Sequence, residues 1–176
     1  MSQLIEFQRG VGEDSEGRKL ADVWAFSDDE MEAHHDFIQW MFPLKEPSRF
    51  NWNAPVLSDQ DIAAFRDDPD LRANLRRSFN RFLAFLGLEE KDGRIVPGAD
   101  FENKRQVFLA PDHNWLRITR ALTSLRLLGL PEQSRAFYEG LLDLMKDGRA
   151  RITAETRRYW RDAAHPGGRD DTTAEE

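Results

Sequence analysis

The sequence has no cysteine among its 176 residues, which excludes disulfides, thiolate catalysis and cysteine-ligated zinc sites. It contains no apolar run near the ~18 residues that a membrane span requires, so membrane insertion is not expected. Residues 1–10 lack the apolar core of a signal peptide. The net charge of −7 disfavours nonspecific binding to nucleic acid. We therefore expect a cytoplasmic protein that binds no nucleic acid.

The composition is sufficient for a packed core. Hydrophobic residues make up 40% of the chain and aromatic residues 11%, while charged residues make up 32%. We expect residues 1–164 to form one compact, mainly α-helical domain of six or seven helices. Residues 165–176 are rich in glycine and acidic residues and are expected to form a disordered acidic tail.

Two capping boxes predict helix starts in the first half of the chain. Ser27 and Ser58 are each followed three residues later by a carboxylate, Glu30 and Asp61. The first helix is expected to run on through residues 31–42 until Pro43 ends it. Upstream, residues 4–7 are expected to form a short extended N-terminal arm.

Apolar side chains recur at helical spacing in the rest of the chain, over residues 69–87, 113–128, 132–146 and 153–163. The helix at 113–128 is apolar around most of its circumference, which predicts a central, buried position. Residues 91–98 are expected to form a turn with a short extended piece. Phe50 and Trp52, in the turn-rich connection before Ser58, are expected to pack against the core.

No motif predicts a metal, a cofactor or a catalytic centre. The segment at 12–19 differs from a phosphate-binding loop, because Arg18 stands where the lysine is needed. Glu32 and His35 have the spacing of a di-iron ligand pair, but the chain has no second copy of the motif. No nucleophile elbow is present.

Polar side chains embedded in apolar helices are more informative. Arg117 and Arg120 lie on the helix expected to be buried, where a guanidinium is costly unless carboxylates or carbonyls accept its hydrogen bonds. They either make internal pairs or reach into a pocket for an anionic ligand. Gln39, beside Trp40, also needs a partner, and backbone groups of residues 43–55 are the expected ones.

Two segments resemble a known family. Residues 35–44 read H-D-F-I-Q-W-M-F-P-L and residues 113–122 read H-N-W-L-R-I-T-R-A-L. They closely resemble the blocks H-x-Y-I-Q-W-L-F-P-L and H-N-x-L-R-I-T-R-I-L of the opioid growth factor receptor conserved region. Phe37, Met41 and Ala121 are the departures, and the resemblance extends over residues 7–160.

The resemblance implies a receptor-like domain. The family's animal founder is described as a receptor for methionine-enkephalin that is associated with the nuclear envelope and growth inhibition. That founder is unrelated to the seven-helix opioid receptors. The resemblance supplies no catalytic or ligand-contacting residues for this chain.

We therefore expect a non-enzymatic module that binds a peptide or a protein. Its candidate ligand-binding residues are Gln39, Trp40, Trp52, Arg117 and Arg120. The aromatic residues would supply apolar contact area, while an arginine would bind a carboxylate such as a peptide C-terminus. Two alternatives stay open. The same residues are purely structural, or a small-molecule enzyme has its pocket around His35 and Arg117.

Overall fold

The computed structural model of the chain describes residues 1–49 and 51–166. These residues form ten α-helices, one 3-10 helix and one two-stranded sheet, which confirms the mainly α fold. The elements are α1 (Gln3–Gln8), α2 (Leu20–Trp24), α3 (Asp28–Ala33), α4 (Ile38–Met41), α5 (Asp59–Asp67), α6 (Pro69–Phe85), β1 (Leu88–Lys91), β2 (Arg94–Pro97), α7 (Phe101–Lys104), the 3-10 helix (Arg105–Phe108), α8 (Asn114–Leu127), α9 (Pro131–Lys146) and α10 (Ala154–Ala164). None of the described helices is both long and apolar enough to cross a membrane.

The helix count exceeds the expected six or seven because several helices are very short. Helices α4 and α7 have four residues each, and α2 has five. A segment of about one turn contains too few apolar positions to show a period of 3.6 residues. Such helices are stabilised mainly by tertiary packing, which a sequence pattern does not record.

Helix α8 lies at the centre of the second half of the chain. It packs against α9 and α10, and its residues Ile118, Ala121, Leu122 and Leu125 are completely buried. The Ser134 hydroxyl of α9 donates to the Leu122 carbonyl at 2.7 Å. The expected burial of α8 is therefore confirmed on the face that packs against α9 and α10.

Helix α6 leads into a β-hairpin that packs on α9. β1 and β2 are antiparallel, and Asp92 and Gly93 form the turn between them with φ of 54° and 77°. Gly140 of α9 lies against β2, because a Cβ at this position would be only 2.6 Å from the Ile95 carbonyl oxygen. The turn with a short extended piece expected at 91–98 is this hairpin.

The expected extended N-terminal arm is wrong, because residues 3–8 form α1. The Ser2 hydroxyl caps this helix by accepting from the Ile5 amide at 3.2 Å. Leu4, Ile5 and Phe7 are buried, and α1 contacts α4, α5 and α6. The buried Gln8 side chain donates to the Trp40 carbonyl at 2.6 Å, so α1 is part of the domain core.

The continuous helix expected over residues 31–42 is also wrong. The capping box at Ser27 is present, but α3 ends at Ala33 and α4 begins only at Ile38. His34 adopts an extended conformation, with φ of −88° and ψ of 133°. The break therefore includes the first residues of the resembling segment 35–44, and Trp40 lies on the separate helix α4.

In the connection between α4 and α5, the two ends pair with each other and the middle is exposed. Leu44 and Val56 form a parallel bridge, and the Leu57 amide donates to the Leu44 carbonyl at 2.9 Å. Trp52 is 96% exposed, so the expectation that it packs against the core is wrong. Phe50 and residues 167–176 of the expected tail lie outside the described residues.

Candidate functional site

Arg117 holds the break between α3 and α4. It is 6% exposed, and its two terminal nitrogens donate to the Met31 carbonyl at 2.8 Å and the His34 carbonyl at 2.7 Å. In a continuous helix these carbonyls would accept from backbone amides four residues later in the chain. The guanidinium of Arg117 satisfies them instead, and it lies over the Phe37 ring at 5.4 Å. A side chain from α8 thus stabilises the separation of α3 from α4.

Arg120 acts one turn further along α8. Its Nη1 donates to the Phe42 carbonyl, which follows α4, at 3.0 Å. Burial lowers the pKa of Arg120 to about 10, although the negative charge of Glu46 opposes this effect. Burial likewise lowers the pKa of Arg117, against the opposing charges of Glu32 and Asp112.

Both arginines therefore have backbone carbonyls as internal hydrogen-bond acceptors, and Nη2 of Arg117 also lies 3.4 Å from Nδ1 of His35. Among residues 1–49 and 51–166, neither arginine forms a salt bridge with a carboxylate. Arg117 uses both of its terminal nitrogens, whereas Arg120 uses one, so the two guanidinium groups differ in the donors left for a ligand.

Gln39 and Trp40 are neighbours in α4 that point in different directions. The Gln39 amide donates to the His35 carbonyl at 3.1 Å and accepts from the Asn51 side chain at 3.5 Å. Its partner in the loop is thus a side chain rather than the expected backbone. Trp40 is 3% exposed and packs edge-on against Phe7, with ring centroids 5.4 Å apart.

A cleft of about 400 Å³ lies beside Trp40. One wall is formed by the chain around α1 and the other by the connection that follows Trp52; the lining residues are Ser2, Gln3, Leu4, Ser15, Trp40, Asn53, Pro55, Val56 and Asp61. The buried Nε1 of Trp40 has no acceptor among the described residues. Asp61, 6% exposed, accepts from the Ser2 hydroxyl at 2.7 Å and from the Ser58 amide at 3.1 Å.

A polar cluster at the start of α8 was missed by the sequence analysis. Glu32 is 2.8 Å from Nε2 of His113 and accepts from Nδ2 of the Asn114 side chain at 3.0 Å. The rings of His35 and His113 lie 5.8 Å apart. Their contact joins the two segments that carry the family resemblance, and the fact that both segments begin with histidine was the available signal.

This cluster offers little support for the enzymatic alternative. His35 and His113 are exposed at the surface, and neither His35 nor Arg117 lines the cleft beside Trp40. Within the described ranges, no group of three or more histidine, aspartate or glutamate side chains has an arrangement that could hold a metal ion.

Comparison with known proteins identifies the family. The profile described as "Opioid growth factor receptor (OGFr) conserved region" matches residues 12–147. The chain belongs to this family. The contacts of Glu32 with His113 and of Arg117 with α3 all fall within the matched range, so they join parts of the family's conserved region.

Several relatives carry receptor names. The opioid growth factor receptor of Mus musculus is 36% identical over 110 residues, which are 61% of this chain and 17% of that protein. The Rattus norvegicus receptor is 36% identical over 136 residues, 74% of this chain and 23% of that protein. Opioid growth factor receptor-like protein 1 of Mus musculus is 31% identical over 113 residues, 63% and 24% respectively.

The chain thus spans about a quarter or less of the length of these relatives. Their names are compatible with a non-enzymatic role and describe whole proteins of greater length. No solved structure matches the chain.

Proposed function

We propose that this OGFr-family domain binds a peptide, or a peptide-like segment of another protein, around Trp52. The observation that carries the proposal is the 96% exposure of Trp52. Large aromatic side chains are the commonest anchors of binding interfaces, because they bury much area and lose little conformational entropy. A tryptophan held away from its own domain contributes nothing to that domain's packing.

The loop that presents Trp52 is tethered to the domain. The bridge between Leu44 and Val56 closes its ends, and the Asn51 side chain contacts Gln39 of α4. The Asn51 side chain also accepts from the Asn53 amide at 3.1 Å, directly across Trp52. A loop ordered before binding costs less entropy when a ligand arrives.

The cleft beside Trp40 supplies a pocket next to this anchor. Leu4, Pro55 and Val56 give it apolar walls, while Asp61 gives it a negative charge with no cationic partner among the described residues. A ligand amine would be attracted to Asp61. A ligand carbonyl that reached Trp40 would supply the acceptor that its indole lacks.

The arginines of α8 take different roles in this proposal. Arg120 has guanidinium donors beyond the one that binds Phe42, so it is the better candidate to hold a ligand carboxylate. Arg117 acts as a positioning residue, because its terminal nitrogens hold the chain between α3 and α4. Gln39 supports the loop through Asn51.

The relatives' name makes an opioid peptide the first ligand to test. We expect Tyr-Gly-Gly-Phe-Met to cause saturable amide shifts at Trp52, Gln39 and Asp61 in an NMR titration of the ¹⁵N-labelled chain. Trp52→Ala should weaken binding at least tenfold. Leu116→Ala removes a side chain of α8 that is 62% exposed and serves as the matched control, with unchanged binding expected.

A C-terminally amidated peptide separates the contributions of the two ends. If Arg120 holds the carboxylate, the wild type should bind the amidated peptide more weakly than the peptide with a free C-terminus. Arg120→Met should bind the two peptides with equal, weak affinity. No saturable shift at millimolar peptide would overturn the opioid-peptide form of the proposal. Binding unaffected by Trp52→Ala would overturn the site.

A further inference from the structure

The exposed Trp52 and the cleft beside Trp40 belong to one continuous surface. Asn53, the residue after Trp52, lines that cleft, and so do Pro55 and Val56 of the same loop. Val56 is itself 46% exposed, so apolar surface extends from the loop to the mouth of the cleft. A large exposed aromatic side chain and a cleft therefore lie side by side.

Trp52 does not fill the cleft of its own chain. Its side chain points into solvent, and the Asn51 side chain holds the turn around it by accepting from the Asn53 amide at 3.1 Å. The cleft has a volume of about 400 Å³. Clefts of roughly 300–1,000 Å³ hold drug-sized ligands, which are larger than one indole group. The cleft therefore has room for an indole that comes from another molecule.

A second copy of this chain supplies the indole and the cleft together. In a dimer with twofold symmetry the same patch of each copy faces its equivalent, so the patch must be complementary to itself. A patch that carries an exposed indole beside a cleft meets this condition, because each copy can insert Trp52 into the cleft of the other. A different protein would need both a matching side chain and a matching cleft.

The polar groups of the cleft also suit a tryptophan and its loop. Asp61 accepts two hydrogen bonds and has lone pairs for a third, which the indole N–H of an incoming Trp52 can donate. The buried Nε1 of Trp40 has no acceptor among the described residues, and a backbone carbonyl of the incoming loop would supply one. An aliphatic side chain would leave Asp61 without this donor.

The size of the contact corresponds to a weak, reversible dimer. A large aromatic side chain buries roughly 150–250 Å², and the walls that cover two such side chains lose a comparable area. The total stays below about 1,200 Å², the range of transient complexes. Each copy also carries a net charge of −7, which adds a repulsion that salt screens.

We propose that two copies of this chain form a reversible dimer in which Trp52 of each copy occupies the cleft beside Trp40 of the other. The indole N–H donates there to Asp61. The dimer covers the surface proposed for the peptide, so self-association regulates that site by competition. The competition rests on the proposed function, whereas the contact between copies rests on Trp52 and the cleft alone.

Sedimentation equilibrium of the full chain without peptide tests the dimer. We expect a reversible equilibrium of monomer and dimer over micromolar to millimolar protein. It should strengthen with added salt, because salt screens the repulsion between two acidic copies. A monomer throughout this range, or open-ended association beyond the dimer, would overturn the proposal.

Matched variants locate the contact. Trp52→Ala should weaken the dimer at least tenfold, whereas Tyr159→Ala, which removes another exposed aromatic side chain, should change it less than twofold. Val56→Arg fills the cleft with a long side chain and should also weaken the dimer at least tenfold, although it lowers the net negative charge. Circular dichroism spectra should be the same for all three. Equal losses in Trp52→Ala and Tyr159→Ala would overturn the contact.

A mixture of the two defective variants tests the reciprocal insertion. Trp52→Ala keeps an open cleft and Val56→Arg keeps the indole, so a mixed pair restores one of the two contacts. The mixture should associate more strongly than either variant alone at the same total concentration. No gain on mixing would overturn the exchange of Trp52 between copies.

The peptide tests the competition. Self-association is measured without peptide, so its failure and the failure of peptide binding are seen in separate experiments. Where both processes occur, Tyr-Gly-Gly-Phe-Met should dissociate the dimer as it saturates the chain. A dimer that is unchanged by saturating peptide would overturn the shared surface.

Discussion

Two groups of arginines in this domain are used in opposite ways. On α8, Arg117 is 6% exposed and donates to two backbone carbonyls, and Arg120 donates to a third. On α10, Arg158 is exposed beside a cleft between α9 and α10, and none of the described residues that line this cleft is acidic. The difference shows that burial and the acceptors at hand decide whether an arginine supports the fold or stays at the surface.

The largest effect is expected for Arg117→Ala. The substitution leaves the Met31 and His34 carbonyls without their donor and removes the contact with Phe37. We expect a loss of about 3 kcal/mol in the free energy of unfolding, measured by urea denaturation. Arg117→Lys, which keeps the charge but not the fork, should lose less.

Full stability of Arg117→Ala would contradict the account. It would mean that the break between α3 and α4 is fixed by local sequence, and that the buried guanidinium is not needed there.

Arg120→Met is expected to have a smaller effect, within about 1 kcal/mol of the wild type. Arg120 binds one carbonyl, and an apolar replacement keeps the packing while removing a desolvated charge. Urea denaturation of Arg117→Ala and Arg120→Met under the same conditions shows which variant loses more free energy of unfolding. A larger loss for Arg120→Met than for Arg117→Ala would reverse the assigned roles.

Because the pKa of Arg120 is lowered, the difference in stability between the wild type and Arg120→Met should depend on pH. Because the folded-state pKa is about 10, below the ordinary 12.5, the unfolded chain binds more protons above about pH 10. Stability of the wild type relative to Arg120→Met should therefore rise from about pH 9 to about pH 11. A flat difference over this range would contradict the depressed pKa.

Arg158→Ala should leave the free energy of unfolding within about 0.5 kcal/mol of the wild type, because Arg158 is exposed and surface substitutions rarely exceed this. Thermal unfolding followed by circular dichroism checks it. A loss comparable with that of Arg117→Ala would show that Arg158 also supports the fold.

Trp52→Ala should have the smallest effect on unfolding, because its side chain is almost fully exposed. We expect a change in the free energy of unfolding below about 0.5 kcal/mol, by urea denaturation. A clear destabilisation would place Trp52 in the packing of the domain and remove the main support for the proposed peptide site.

The long helices could be predicted from the sequence because their signals are local. Helix α6 begins with the Asp68 cap and Pro69, and α8, α9 and α10 follow their apolar periodicity to within about two residues. The fold class, the capping boxes and the turn near residue 93 depend on the same kind of information, whereas the pairing of β1 with β2 was not predicted.

The break between α3 and α4 could not be predicted, because its stabilising partner lies more than eighty positions away. Arg117 contacts Met31 across 86 residues of sequence. Helix α1 was misread for a related reason, since its six residues are held by packing against α4, α5 and α6.

The candidate site was predictable in its residue types but not in its arrangement. The sequence indicated that Gln39, Arg117 and Arg120 needed partners, and the structure provides the Asn51 side chain and four backbone carbonyls. Pairing of Glu32 with His113 depends on the contact between α3 and α8, which no local pattern records.

Arginine side-chain NMR tests the central comparison most directly, because Nε–Hε relaxation reports the mobility of each guanidinium in one sample. The account predicts rigid Nε–Hε groups for Arg117 and Arg120, with high heteronuclear NOE values, and a mobile group for Arg158 in the absence of ligand. Equal mobility of Arg117 and Arg158 in the free protein would contradict the account.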